Sequence, residues 1–150
     1  MNPLKEFVFP DYPGTFGAIR KHDIHTGIDL YCQEGSKVYA IEDGVVVSVI
    51  NFTGKKAGSP WWNDTEAVLI EGNSGVVCYG EIIPLVKTEC IIKEGDIVGY
   101  VKRVLKKDKG RPMSMLHLEL YKHNSYNIVG WNIRHERPEN ILDPSFLIQR

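Results

Sequence analysis

The chain has 150 residues, of which 43% are hydrophobic and 25% are charged, and these proportions are typical of a globular protein with one core. We therefore expect a single domain over residues 1–150. The formal net charge of −1 provides no general positive field, so nucleic acid is not a predicted partner. The most basic segment, residues 102–109, is interpreted as a solvated loop.

The first residues, MNPLKEFVFPDYPG, lack the apolar core of a signal peptide. No segment approaches the ~20 apolar residues of a membrane span. The sequence thus predicts a soluble protein, for which a cytoplasmic location is one option, and it places no constraint on oligomeric state.

The three cysteines, Cys32, Cys78 and Cys90, lack CxxC spacing. They predict neither a disulfide framework nor a cysteine-based zinc site. A single disulfide, between Cys78 and Cys90 or between Cys32 and Cys78, stays open as an alternative to small buried thiols.

Short runs rich in Val and Ile, separated by glycine turns, predict strands rather than helices. The first two strands, residues 37–41 and 45–50, are joined by Glu42-Asp43-Gly44, and Asp-Gly is typical of a tight hairpin. Residues 72–75 (GNSG) predict a second turn. Four further strands are predicted at residues 67–71, 76–83, 97–104 and 115–122.

Two long segments, residues 51–65 and 124–139, show neither a strand nor a helix pattern. The first carries the pair Trp61-Trp62, and long loops of compact domains are often functional. Only short helical turns are expected, near residues 138–142 and near residues 144–147.

His25 and Asp29 lie four residues apart in the segment HTGID, with a glycine between them. The glycine lets the chain turn closely, so both side chains can reach one side. Imidazole nitrogen and carboxylate oxygen are natural zinc ligands. Taken alone, this spacing is also typical of surface and capping residues.

His117 lies on a strand with strict alternation, MLHLELY at residues 115–121. The three leucines form the apolar face, so His117 is expected to face away from the leucine core, as are Met115 and Glu119. Two histidines and one aspartate are the ligand set of a catalytic zinc site that keeps one position open.

Glu81 is the candidate general base. It lies on the predicted strand 76–83, where alternation places Tyr79 on the same face. A carboxylate beside a zinc-activated water can accept its proton. A solvent-facing strand residue is the competing interpretation.

With these residues in place, the sequence resembles the lysostaphin-type (LytM-type) zinc metallopeptidases over nearly its whole length. The resembling motifs follow the family's order and spacing. The opening motif runs from Phe16-Gly17, by way of Arg20 and His22, to His25-Thr26-Gly27-Ile28-Asp29-Leu30. The later motifs are GSKVYA at 35–40, DGVV at 43–46, KEGDIVG at 93–99 and LDPSFL at 142–147.

The resemblance implies an all-β fold, an antiparallel β-sheet sandwich of the duplicated-hybrid-motif kind, with long loops, few short helical turns and a groove over one sheet. It implies one zinc ion per chain, held by His25, Asp29 and His117, with the fourth position left for water. The implied partner is a peptidoglycan-type peptide, and members of the family mostly work outside the cytoplasm. If the chain is a peptidase, three aromatic residues are expected to line the groove, namely Tyr79, Trp61 and Trp62, although packing of the two tryptophans over an edge of the core is an equally open interpretation.

The sequence departs from the family at two positions. The family carries His-x-His where this chain has Met115-Leu116-His117, and Tyr-x-His where it has Tyr79-Gly80-Glu81. Methionine neither transfers a proton nor donates a hydrogen bond, so activity has to rest on Glu81 or on a group from elsewhere.

Three other histidines, His22, His123 and His135, are candidates for such a group, although each is more typical of a surface or structural residue. Met115 and Glu119 are expected to lie just outside the ligand set, where Glu119 can orient His117.

Two functions follow from the resemblance. The first is a zinc peptidase with Glu81 as base, favoured because glutamate keeps an acid-base capacity at a catalytic position. The second is a catalytically silent homologue that keeps zinc and binds a peptide or glycan. A lipoyl or biotinyl carrier has a similar strand texture, but the chain contains no tripeptide of the Met-Lys-Met type.

Overall fold

The structure is a computed structural model that describes residues 1–149. The strands pair antiparallel throughout, and two short 3₁₀ helices, Lys55–Ala57 and Pro144–Leu147, complete the regular elements of this range. The predicted all-β antiparallel fold is confirmed. The strands are β1 Ile28–Tyr31, β2 Lys37–Tyr39, β3 Gly44–Thr53, β4 Thr65–Gly72, β5 Gly75–Pro84, β6 Ile91–Ile92, β7 Ile97–Val101, β8 Met115–Tyr121 and β9 Ile141–Leu142.

The strands form one hydrogen-bonded network whose main order is β1-β8-β5-β4-β3-β6. β9 pairs with β8, while β2 pairs with β7, which joins the network through β5. β5 changes partner along its length, because residues 76–80 pair with β8 and residues 82–84 pair with β7. Glu81 lies at the junction between the two pairings.

The main core lies on the side of the sheet that carries the three leucines of β8. These leucines are fully buried and pack in one cluster with Ile28 and Leu30 of β1. Val38 of β2 and Val98 of β7 belong to the same cluster, so the β2–β7 pair covers part of this core. The predicted alternation of the strand at residues 115–121 is confirmed.

The opposite face of the sheet is also buried. A second apolar cluster on that face includes Leu69, Cys78 and Tyr121, and Phe52 of β3 and Val129 of the segment 124–139 pack against it. His117 and Glu119 therefore face away from the leucines, as predicted, but they face a covered surface and not open solvent, with the ring of Phe52 5.2 Å from that of His117.

The hairpin predicted between residues 37–41 and 45–50 is wrong. β2 pairs with β7, and β3 pairs with β4 and β6, so the two segments are not neighbours. The glycine at position 44 serves close packing instead, because a Cβ there would lie 2.5 Å from the carbonyl oxygen of Glu71. Asp43 also has a different role, since its Oδ1 accepts a hydrogen bond from the N–H of Glu94 at 2.8 Å.

The hairpin of β4 and β5 is confirmed, with Gly75 at a φ of 127°. The helical turn at residues 144–147 is also confirmed, and Asp143 caps it by accepting a hydrogen bond from the N–H of Ser145 at 2.9 Å. Near residues 138–142 the structure has a single turn at residues 139–140, closed by a hydrogen bond from the N–H of Ile141 to the carbonyl oxygen of Pro138 at 3.2 Å, and β9 follows it against β8.

The three cysteines are free thiols, so neither of the two disulfides left open by the sequence is formed. Cys78 is fully buried in the second apolar cluster, and burial raises the pKa of its thiol. Over residues 1–149 the structure has no helix of the length and apolar character needed to cross a membrane.

Gly27 lies directly against β8, where a Cβ would be 2.2 Å from the carbonyl oxygen of Leu118. We expect Gly27→Ala to lower the free energy of unfolding by about 2–4 kcal/mol, because backbone atoms have to move to admit the methyl group. Urea unfolding measures the loss. Gly130→Ala is the matched control, since a Cβ there meets no atom within 4 Å, and equally small losses in both variants would contradict this packing argument.

Candidate metal centre

The pairing of β1 with β8 places Asp29 directly opposite His117. Opposed residues of an antiparallel pair carry their side chains on one face, with Cβ atoms about 4.5–5.5 Å apart. His25 lies in the loop before β1, where its N–H donates to the carbonyl oxygen of Ala18 at 2.9 Å and its carbonyl oxygen accepts from the N–H of Gly17 at 3.0 Å. These bonds fix the backbone of His25 beside the strand pair.

The three candidate ligands are buried, and their ligand atoms all lie within 4.8 Å of one another. Nε2 of His25 is 3.3 Å from Oδ1 of Asp29 and 3.3 Å from Nδ1 of His117, while Nδ1 of His117 is 2.8 Å from Oδ1 of Asp29. A tetrahedral ion with bonds of about 2.0 Å holds its ligands about 3.3 Å apart. The spacing fits such an ion. The shorter contact, between Nδ1 of His117 and Oδ1 of Asp29, is the hydrogen bond that His117 donates when no ion is bound.

The second nitrogen of each imidazole is held by an oxygen acceptor. Nδ1 of His25 donates to the carbonyl oxygen of Thr15 at 2.9 Å, and Nε2 of His117 donates to Oε2 of Glu119 at 2.9 Å. Because these acceptors fix where the proton resides, the lone pairs of the other two nitrogens point at the shared centre. The role of Glu119 in orienting His117 stays a prediction, and the structure places its carboxylate at hydrogen-bond distance from that ring.

Glu119 is itself held by hydroxyl groups. The hydroxyl of Thr26 donates to Oε2, and the hydroxyl of Tyr121 donates to Oε1 at 2.6 Å. The Tyr121 oxygen also accepts from the N–H of Val129 at 3.2 Å, which connects the carboxylate to the loop at residues 124–139. This network leaves the Glu119 side chain little freedom to rotate.

The free carboxylate oxygen of Asp29 is paired with a cation, since Nη2 of Arg20 lies 3.5 Å from its Oδ2. The same guanidinium reaches the carbonyl oxygen of Pro13 at 3.5 Å. Arg20 therefore ties the carboxylate to the loop before β1.

Burial and charge act on the ionisable groups in opposite directions. Burial raises the pKa of Asp29, but hydrogen bonds from His117 and His25 outweigh it and hold this pKa well below its usual value. Burial lowers the pKa of His117, yet the hydrogen bonds to Asp29 and Glu119 raise it well above its usual value. Without a metal His117 is therefore protonated, and metal binding has to displace a proton.

Glu81 occupies a buried position close enough for the charges of the centre to act on it. Burial raises its pKa to about 8, and the charge of Asp29 adds to this effect. Its Oε2 is buried and has no hydrogen-bond partner among residues 1–149. A carboxylate oxygen in this state is available for a ligand or a proton.

A β-bulge gives Glu81 its orientation. Ala67 of β4 pairs with Gly80 and the preceding Glu66 pairs with Ile82, which leaves Glu81 as the extra residue of β5, with a φ of 65°. Bulges of this kind are common next to active sites, where they redirect a side chain. They also break the alternation from which the sequence prediction started.

The prediction that Tyr79 lines a groove beside Glu81 is wrong. Tyr79 is 1% exposed and lies in the leucine core. Its hydroxyl oxygen accepts a hydrogen bond from the N–H of Ile41 at 3.1 Å. The bulge separates the two residues, because Tyr79 keeps the core-facing orientation of the regular strand whereas Glu81 does not.

Trp61 and Trp62 form an edge-to-face pair with ring centroids 5.9 Å apart. Trp61 is 63% exposed, whereas Trp62 packs against a small buried cluster that contains Met115. Their contact with a substrate stays a prediction. Met115 is buried on the same face as His117, so no proton-transferring group replaces the histidine at its own position.

The three remaining histidines lie outside the cluster of candidate ligands. His123 is an exposed partner of Glu71, with Nδ1 3.3 Å from Oε2. His22 and His135 line a cavity of about 410 Å³ together with Trp131, and none of the candidate ligands borders it. The structure gives none of the three a contact with the centre.

Several supporting groups were missed by the sequence analysis. Arg20 was part of a recognised motif but had no assigned role, and the hydroxyls of Thr26 and Tyr121 had no predicted contact. The alternation of β8 places Tyr121 on the face of His117 and could have suggested it. The carbonyl of Thr15 gives no sequence signal, because every residue has one.

The profile described as Peptidase family M23 matches residues 23–128 of this chain. The catalytic domain of the antimicrobial peptidase lysostaphin from Staphylococcus simulans is similar in structure, with a TM-score of 0.55 and 20% identity, over 95% of this chain and 90% of that one. The resemblance in fold is thereby confirmed. No curated protein matches the chain in sequence.

Two further solved structures are similar to this chain. A zinc-containing peptidase from Vibrio cholerae has a TM-score of 0.53 and 25% identity over 79% of this chain. A Pseudomonas aeruginosa protein assigned to peptidase M23 has a TM-score of 0.56 and 15% identity over 98% of this chain. The chain spans 35% of the length of the first protein and 48% of the second.

The raised pKa of Glu81 predicts a pH dependence of stability in the metal-free protein. The pKa rises from 4.5 to about 8 on folding, so the protonated side chain supports the folded state below pH 4.5 and this contribution is lost as the pH rises towards 8. The free energy of unfolding should therefore fall by up to about 1.4 kcal/mol per pH unit in this window relative to Glu81→Gln. Parallel pH profiles of the two proteins in urea unfolding would contradict the assignment.

Proposed function

Because the chain belongs to peptidase family M23, we propose that it is a zinc metallopeptidase that hydrolyses a peptide bond of peptidoglycan or of a related peptide. The observation that carries the proposal is the spacing of the ligand atoms of His25, Asp29 and His117, which fits a tetrahedral ion. The similarity to a zinc-containing peptidase supports the choice of metal.

The donor set of two imidazoles and one carboxylate suits zinc and leaves one position open for a water or substrate. When bound, zinc lowers the pKa of a water towards ~7 and polarises the scissile carbonyl. The protein supplies the rest of the arrangement. Thr15 and Glu119 hold the two imidazoles, and Arg20 holds the free oxygen of Asp29, so the ligands are in place before the substrate arrives.

We assign the general base to Glu81. Its unpartnered Oε2 can accept a proton from the attacking water and later return it to the leaving amine. A positive charge nearby lowers the pKa of a carboxyl group, so a bound zinc ion would lower the pKa of Glu81 from its metal-free value of about 8. A base with a pKa near the working pH is the most effective one.

A catalytically silent homologue is the second candidate, and Met115 is the observation that favours it. The thioether is buried in an apolar cluster and offers neither a proton nor a hydrogen-bond donor. In that case the centre would hold zinc and bind a peptide or glycan without turnover. The two candidates share the metal and differ in hydrolysis.

We expect His117→Ala to reduce the zinc content of the protein from about one ion per chain to well below half, because a three-ligand site loses one ligand. Elemental analysis after dialysis against zinc measures the ratio. His22→Ala is the control, since this exposed residue lies outside the cluster. An unchanged ratio in His117→Ala would remove the residue from the ligand set.

We expect the zinc-loaded protein to cleave oligoglycine or peptidoglycan, and Glu81→Gln to lower kcat by about 10²–10⁴-fold, the usual contribution of a positioned acid-base group. Glu66→Gln, an exposed carboxylate on β4, should retain the wild-type rate. Background rates in all three proteins with full zinc content would decide for the silent homologue.

A further inference from the structure

Tyr31 ends β1 two residues after Asp29, on the same face of the strand. Its cross-strand partner on β8 is Met115, and its ring packs against the buried cluster that contains this methionine. A phenol therefore lies directly opposite the position where the resembled family carries a catalytic histidine.

The hydroxyl of Tyr31 lies back along the strand, at the level of Asp29. A Cβ on Gly14 would be 2.7 Å from this hydroxyl oxygen, so the absence of a side chain at Gly14 makes room for it. The carbonyl oxygen of Gly14 in turn accepts the N–H of Asp29 at 2.9 Å. The hydroxyl and the Asp29 backbone thus flank the same glycine at the edge of the candidate centre.

Within residues 1–149 nothing hydrogen-bonds the Tyr31 hydroxyl, in contrast to two other tyrosines of the sheet. The hydroxyl of Tyr79 is bonded to the backbone of Ile41, and that of Tyr121 donates to Glu119. Tyr31 is also only partly buried. No hydrogen bond within residues 1–149 therefore gives this oxygen a structural role.

We propose that the hydroxyl of Tyr31 donates a hydrogen bond to the carbonyl oxygen of the scissile peptide and that this bond strengthens as the oxygen becomes negative. The proposal rests on the proposed peptidase function. A phenol is neutral at pH 7 and has one proton to donate, which the thioether of Met115 does not. Tyr31 then supplies the oxyanion stabilisation that position 115 has lost.

The proton balance of the reaction leaves Tyr31 unchanged. The attacking water forms a bond to the carbonyl carbon and gives one proton to the carboxylate of Glu81, while the π electrons of the carbonyl move to its oxygen. When this electron pair returns, the C–N bond breaks and Glu81 gives its proton to the leaving nitrogen. The Tyr31 hydroxyl donates a hydrogen bond throughout and keeps its proton.

The first test is the hydrolysis of oligoglycine by zinc-loaded Tyr31→Phe. Loss of one oxyanion donor should lower kcat by about 10²-fold, with KM within about threefold and zinc content unchanged. Tyr126→Phe, which removes an exposed hydroxyl, is the matched control. A kcat within twofold of wild type in Tyr31→Phe would overturn the proposal.

The second test does not need turnover. A phosphinate analogue of oligoglycine carries a tetrahedral, negatively charged centre in place of the scissile carbonyl, and calorimetry gives its affinity for each zinc-loaded protein. Tyr31→Phe should bind it about tenfold more weakly than wild type and Tyr126→Phe. Equal affinities, or no binding by any of the proteins, would overturn the role of Tyr31.

The two tests together separate this inference from the function on which it rests. A wild-type protein that fails to cleave any peptide, yet loses phosphinate affinity on Tyr31→Phe, would refute the peptidase and keep the hydroxyl as a ligand contact. Active protein with unchanged kcat and phosphinate affinity in Tyr31→Phe would keep the peptidase and refute Tyr31.

Discussion

The pairing of Asp29 with His117 across β1 and β8 is the contact on which the candidate centre depends. A slip of one residue would turn one of the two side chains to the opposite face of the sheet. The leucines of β8 oppose such a slip, because they are fully buried with Ile28 and Leu30. Gly27 also opposes a slip of β1 against β8, since only a residue without a Cβ fits against the backbone of Leu118. Core packing and ligand geometry therefore select the same register.

The centre contains three buried carboxylates, namely Asp29, Glu81 and Glu119, and Arg20 is a permanent cation paired with Asp29. Burying a carboxylate is costly unless a positive charge or hydrogen bonds compensate for it. In the metal-free protein the protonated ring of His117 compensates for two of the carboxylates, whereas Glu81 is protonated instead. A divalent cation relieves both constraints, because it replaces the proton of His117 and favours an ionised Glu81. The electrostatics of the folded chain thus favour a metal as much as the ligand spacing does.

In the proposed peptidase, the acid-base and oxyanion groups are residues other than the histidines of the resembled family. Glu81 stands where the family has a histidine, and a bulge with a positive φ orients its carboxylate. A non-glycine residue in this conformation costs of order 1 kcal/mol, and such strain is often found at functional sites. At the second position Met115 is apolar, and its cross-strand partner on β1 is Tyr31, which carries a hydroxyl group. The proposed chemistry therefore depends on both strands of the β1–β8 pair.

The sequence by itself determined the all-β class, the face of β8 that carries His117, the hairpin of β4 and β5, and the capped turn at Asp143, because each depends on local alternation or turn chemistry. It also singled out His25, Asp29 and His117 as candidate ligands, and the structure brings their ligand atoms within 4.8 Å of one another. Only the tertiary structure decided that β2 pairs with β7, since an Asp-Gly turn does not specify which strands become neighbours. The separation of Tyr79 from Glu81 was likewise decided by tertiary structure, because a single extra residue in β5 reverses the alternation and depends on the partners of that strand on both sides.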